Sequence, residues 1–108
     1  MNHIMDAANR HCAFESQAFV LNVTGVMTDE IIQELGQGGS VERLKSGGGY
    51  SATVEPRGRY LVEPKEEGEG ILYADLDFDS ITDAKTIVDS AGHYARPDVV
   101  QMIVNRDP

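Results

Sequence analysis

The stretch YSATVEPRGRYLV, residues 50–62, constrains the fold of this 108-residue chain more than any other part of it. Two arms rich in Val, Tyr, Thr and Leu flank Glu55–Pro56–Arg57–Gly58. Pro56 presets the first φ angle of a tight turn, and Gly58 can take the left-handed conformation that closes a hairpin. A lone hairpin is marginal in water and needs more strands or a covering helix. The flanking sequence offers both. Residues 2–16 read as a helix capped by Asn2, with Ile4, Ala8 and Cys12 repeating along one face and Met5 beside them. That spacing places Cys12 on a core-facing stripe. AFVLNVTGVM (18–27) then switches to an apolar, β-branched run, a buried strand.

Thr28 followed by Glu30–Ile31–Ile32 begins a second helix with Ile31, Ile32 and Leu35 on its apolar side, ended at Gly36 by GQGGS. A short helical patch is expected at Val41 to Leu44. After the hairpin, EPKEEGEG reads as a surface loop. ILYADLDF alternates, with Leu72, Ala74, Leu76 and Phe78 on one face, as in a half-buried strand. Asp79 or Ser80 caps a last helix running to about Val88. SAGHYARPDV reads as an irregular connection and VVQMIV as a candidate final strand. The order predicts an α+β fold, mostly antiparallel sheet with helices covering one face, in a single unit spanning 1–108. A sheet covered on one side only leaves an apolar face that wants a partner.

Composition narrows the partners. A formal charge of −9, with nine scattered Lys and Arg, excludes nucleic acid and an anionic membrane, because phosphates would be repelled. One cysteine makes no internal disulfide, and there is no long apolar run, so a soluble cytoplasmic protein is expected.

HCAFESQ (11–17) brings together the residue types of a thiol nucleophile, its base and an orienting carboxylate. On a helix, however, His11 and Cys12 diverge by roughly 100°, whereas His11 and Glu15 share a face. A reactive thiolate also wants a helix N-terminus or a cation beside it, and position 12 lies near the helix end. Cys12 therefore reads as a packed small residue and not as a nucleophile. Asp75, Asp77 and Asp79 hint at a calcium loop, but such a loop needs Gly and Glu where this chain has Ser80 and Thr86. The glycines at 36, 38, 39 and 47–49 match neither phosphate-binding fingerprint and indicate loops or close backbone packing. His3, His11 and His93 show no metal spacing. His93 stands with Tyr94, Arg96 and Asp98 in an irregular segment, where tail packing is the simpler role.

Taken in order, several segments resemble the C-terminal part of a nitrilase, a carbon–nitrogen hydrolase that converts nitriles to carboxylic acids and ammonia. CAFESQAFVLNVTG is similar to the family's helix-to-strand segment and GGGYSATVEPRGRYL to its glycine-led hairpin. EEGEGILYADLDFDSI resembles its acidic loop and strand, and AGHYARPDVV a tail motif of the nitrilase branch. The resemblance implies part of a four-layer αββα sandwich. It also implies catalysis by a Glu base, a Lys and a Cys in a Cys-Trp-Glu setting, all in the portion that precedes this segment. CAFE only mimics that setting, with Ala13 and Phe14 where Trp alone should stand. No residue here then inherits a catalytic, cofactor-binding or metal-binding role, and no cofactor is implied. The expected partners are the missing N-terminal part of the domain and further copies of the chain in a homo-oligomer. The competing reading is a free-standing, non-catalytic module that binds a protein through its open sheet face. A minimal thiol enzyme built on Cys12 is the remaining alternative.

Overall fold

The computed structural model describes residues 2–36, 46, 47 and 49–108. The helical patch expected at 41–44 lies outside the described residues. Helix α1 spans Asn2–Ser16, α2 Asp29–Gly36 and α3 Asp79–Ile87. Strands β1 (Val20–Asn22), β2 (Ser51–Val54) and β3 (Tyr60–Lys65) form an antiparallel sheet in the order β1-β2-β3. The α+β expectation holds at this level.

The hairpin forms where its turn residues predict. Glu55 N donates to Arg59 O at 2.9 Å and Gly58 N to Glu55 O at 2.8 Å. Gly58 sits at φ +78°, and a Cβ there would lie 3.2 Å from Arg10 O. Arg10 Nε in turn donates to Gly58 O at 2.8 Å, so the hairpin tip is docked against α1. Pro56 is fully buried beneath it.

Register separates the two faces of the sheet. Val20 pairs with Val54 and Val54 with Tyr60, so these three share one face. The Tyr60 hydroxyl donates to Asp6 Oδ1 of α1 at 2.6 Å, which identifies that face as the one α1 covers. Leu21 pairs with Thr53, and this row points the other way. Among the described residues the buried apolar core is small: Ala13, Tyr50, Ala52, Val54 and Ala84.

The stripe on α1 differs from the expected one. Ala13 and Gln17 are buried and Asp6 and Asn9 half-buried, whereas Ile4, Ala8 and Cys12 are exposed. The periodic apolar pattern is one position, about 100° of helix, away from the buried one. Tyr60 and the small Ala52 present a surface that small and polar α1 residues can approach, which apolar periodicity cannot register.

Three strand expectations are corrected. The run 18–27 keeps only three strand residues, plus an isolated bridge between Met27 and Gly47. β3 continues through Glu63–Pro64–Lys65, so the surface loop begins later than EPKEEGEG suggests. Residues 71–77 and the 99–104 segment form no strand. Along 71–78 only Leu72 and Leu76 are half-buried, while Ala74 and Phe78 are exposed. Alternation specifies which face a strand would bury, but a ladder also needs a neighbour, and among the described residues none is offered.

Capping follows local chemistry. Thr28 Oγ1 accepts from Ile31 N at 3.3 Å at the start of α2. At α3 the carboxylate of Asp77 accepts from Asp79 N at 3.0 Å, so Asp77 serves where Asp79 or Ser80 was expected.

Burial, and donation to the Asp6 carboxylate, push the Tyr60 phenol well above its ordinary value of 10.0. The folded state thus holds the proton more tightly than the unfolded chain does. Stability should be level below about pH 10 and fall as pH rises above it, because only the unfolded state readily releases the proton there. Tyr60→Phe should cost about 1–2 kcal/mol at pH 7 and flatten the alkaline slope. Urea unfolding of both proteins at pH 7 and above pH 10 checks this.

Candidate functional site

On α1, His11 Nε2 lies 3.2 Å from Glu15 Oε2, the pairing that helical spacing predicts. Cys12 points to solvent, and its carbonyl accepts from Ser16 Oγ at 2.6 Å. It occupies the C-terminal half of the helix, where the macrodipole disfavours a thiolate. His11 is therefore engaged away from the thiol, as expected, whereas the expected burial of Cys12 is overturned. A thiol reagent at neutral pH should label Cys12 in the folded chain within about threefold of its rate in denaturant. Strong protection in the folded state would contradict the exposed position.

The aspartates do not converge on a shared centre. Asp77 caps α3, and Asp75 and Asp79 are exposed. Among the described residues, no three His, Cys, Asp or Glu side chains are grouped to hold a metal ion. The tail residues pair locally. His93 Nδ1 lies 3.8 Å from Asp89 Oδ2, and its ring is 4.3 Å from that of Tyr94. Arg96 donates to both carboxylate oxygens of Asp98, at 2.8 and 2.6 Å. This bond raises the Arg96 pKa and lowers that of Asp98. All four residues are exposed, in a string of turns. Ser90 Oγ, donating to Glu15 O at 3.2 Å, ties the start of that string to α1.

The densest polar network among the described residues was not legible from motif spacing. Thr24 N donates to Ser51 Oγ at 2.9 Å, and Thr24 Oγ1 accepts from Tyr50 N at 2.7 Å. Asn22 Nδ2 donates to Tyr50 O at 2.7 Å. Gly49, at φ +67°, presses against this cluster, and a Cβ there would overlap Thr24. Close backbone packing, one of the two roles expected for the glycine run, is what Gly49 serves. Gly38, Gly39 and Gly48 lie outside the described residues. A second cluster joins Asp6, Arg10 and Tyr60, with the Arg10 guanidinium 6.0 Å from the Tyr60 ring centre and 3.8 Å from Asp6. Its members are four and fifty residues apart, so nothing local announces it.

These networks hold backbone in place; neither brings a nucleophile to a base. Their chemistry is that of a scaffold. No helix among the described residues is long and apolar enough to cross a membrane.

Comparison with known proteins identifies the family. The carbon–nitrogen hydrolase family model matches residues 3–86. A nitrilase from Paraburkholderia phymatum is 42% identical over 99 residues, covering 92% of this chain and 29% of its own length. An arylacetonitrilase from Aspergillus kawachii is 44% identical over 92 residues, 84% of this chain and 28% of its own length. An aliphatic nitrilase from Rhodococcus rhodochrous is 42% identical over 101 residues, 92% of this chain and 28% of its own length. The chain thus spans less than a third of the curated relatives it matches, and by its sequence it belongs to the carbon–nitrogen hydrolase family.

Proposed function

We propose that this chain is the C-terminal structural segment of a nitrilase-type hydrolase, which converts nitriles to carboxylic acids and ammonia. In this reading the Glu, Lys and Cys that do the chemistry lie in sequence upstream of the segment. The segment contributes sheet, covering helices and tail to an αββα sandwich. The observation that carries the reading is the pairing of coverage figures: 92% of this chain aligns with only 29% of the Paraburkholderia phymatum nitrilase. The scaffold-like networks around Thr24 and Tyr60 support it, since they order loops without activating a nucleophile.

A chimera tests the proposal. This chain replaces the matching segment of the Paraburkholderia phymatum nitrilase, and ammonia release from aliphatic and aromatic nitriles is measured. Hydrolysis by the chimera is expected. A soluble, folded chimera without activity would count against the assignment.

Alone, the chain should form small homo-oligomers. Leu21, Val23, Ile71 and Tyr73 are all more than 60% exposed, and apolar patches of that kind are uncommon on soluble monomers. The charge of −9 limits growth by mutual repulsion. Light scattering coupled to size-exclusion chromatography should report a mass above that of one chain, and a compact monomer at all dilutions would overturn this.

A further inference from the structure

Where α1 meets the hairpin tip, Asp6, Ala7, Arg10 and Phe14 of the helix and Arg57 and Gly58 of the turn line an open pocket of about 370 Å³. The helical residues stand three and four positions apart, so one side of α1 presents them together. Gly58 joins the two walls: its carbonyl accepts from Arg10 Nε at 2.8 Å. That bond fixes the Arg10 guanidinium and, among the described residues, leaves both its terminal amino groups without a hydrogen bond. The nearer of them lies 3.8 Å from Asp6 Oδ2, too far for one. Arg57 is exposed. Arg59 and Arg96 are engaged by Glu55 and Asp98, whereas no carboxylate among the described residues engages Arg57. Phe14, 45% exposed, adds an aromatic wall. In a chain of charge −9 this is a local reversal of sign. Two guanidinium groups share the pocket with one carboxylate, and that carboxylate already accepts from the Tyr60 hydroxyl.

We infer that this pocket binds a small carboxylic acid as its anion, with the carboxylate between Arg10 and Arg57 and an aromatic ring against Phe14. Charge selects the class. A surplus of one positive charge matches a monoanion, and Asp6 at the rim disfavours a dianion such as phosphate. The planar fork of a guanidinium fits the two oxygens of a carboxylate. Phe14 favours a ligand that takes apolar surface out of water with it, which acetate does not. The volume lies near the lower end of the range for small-molecule pockets, about 300–1,000 Å³, so a single ring fits and a nucleotide does not. The nitrilase proposed above releases acids of this class, but binding at this pocket does not rest on that reading.

Amide chemical-shift titration of the isotope-labelled chain at pH 7 tests this, with phenylacetate as the probe. Saturable shifts are expected at Ala7, Arg10, Phe14, Arg57 and Gly58. Phenylacetamide, which keeps the ring and lacks the charge, and acetate, which keeps the charge and lacks the ring, should each bind at least about tenfold more weakly. Inorganic phosphate should also bind more weakly than phenylacetate. Arg57→Gln removes an exposed side chain and should fold, as its amide spectrum can verify. It should weaken phenylacetate about tenfold. Arg106→Gln makes the same charge change in the tail and should weaken it less than about twofold. Equal losses in the two variants would mean attraction by overall charge and would overturn the site. Phosphate or acetate binding as tightly as phenylacetate would overturn the ligand class, and shifts confined to other residues would overturn the location. A carboxylate of a second copy carries the same chemistry. If the pocket amides move on dilution without added acid, that copy is the occupant and the small-acid ligand is overturned.

Discussion

The isolated chain is expected to release no ammonia from any nitrile, and Cys12→Ser is expected to change nothing in that assay. Covalent attack on a nitrile carbon needs a thiolate, a group that takes its proton, and donors that receive the developing charge on nitrogen. Among the described residues, none of these is in place at Cys12. His11, its neighbour in sequence, is turned toward Glu15 at 3.2 Å. The thiol lies on the open surface of α1, in the half of the helix where negative charge is disfavoured. Nor does a closed cavity surround it to exclude water or hold a substrate: the small pocket near the end of α1 is lined by Phe14, Gln17, Pro56, Arg57, Ala84, Ile87 and Val88. Enzymes lower such barriers by roughly 8 kcal/mol or more, far beyond what an unassisted exposed cysteine supplies. Turnover above a buffer control that disappears in Cys12→Ser would overturn both the site description and the functional assignment.

Gly49→Val should unfold most of the protein. Gly49 has a left-handed backbone, which alone costs a residue with a Cβ about 1 kcal/mol and a β-branched one more. The added Cβ would lie 2.7 Å from the Thr24 Cβ and 3.2 Å from Gly25 O, closer than packed atoms tolerate. Thr24 would have to move, and its bonds to Tyr50 N and Ser51 Oγ would be lost together. Each broken bond that strands a half-buried group costs about 1–3 kcal/mol. The total, on the order of 5 kcal/mol, rivals the stability of a small domain. Circular dichroism and urea titration should show a loss of cooperative unfolding. Gly49→Ala should be milder but still cost about 3 kcal/mol. Thr24→Ala should lose the network without the clash. Adding Gly49→Ala to it should then cost less than in the native background, and strict additivity would argue against the contact.

Residues close in sequence were read correctly from sequence alone, and the reasons are local. The turn at Pro56–Gly58, the extent of α1, the start of α2 at Thr28 and the span of α3 rest on backbone preferences and caps that act within a few positions. The His11–Glu15 pairing follows from 3.6 residues per turn. The resemblance to nitrilases was legible for a similar reason: the segments that carry it, CAFESQAFVLNVTG among them, lie in order along the chain.

Tertiary structure decided the rest. Which face of α1 is buried depended on Tyr60 reaching Asp6 across 54 residues, so Ala13 went inward and Cys12 outward. The role of Gly49 depended on Thr24, 25 residues earlier, coming to lie against it. ILYADLDF has the alternation of a strand, yet whether it becomes one depends on a neighbour to accept its hydrogen bonds. Helical turns and tight turns satisfy their backbone groups within a few residues, so sequence determines them; strand pairing and face selection need groups delivered from elsewhere, and only the assembled chain says whether they arrive.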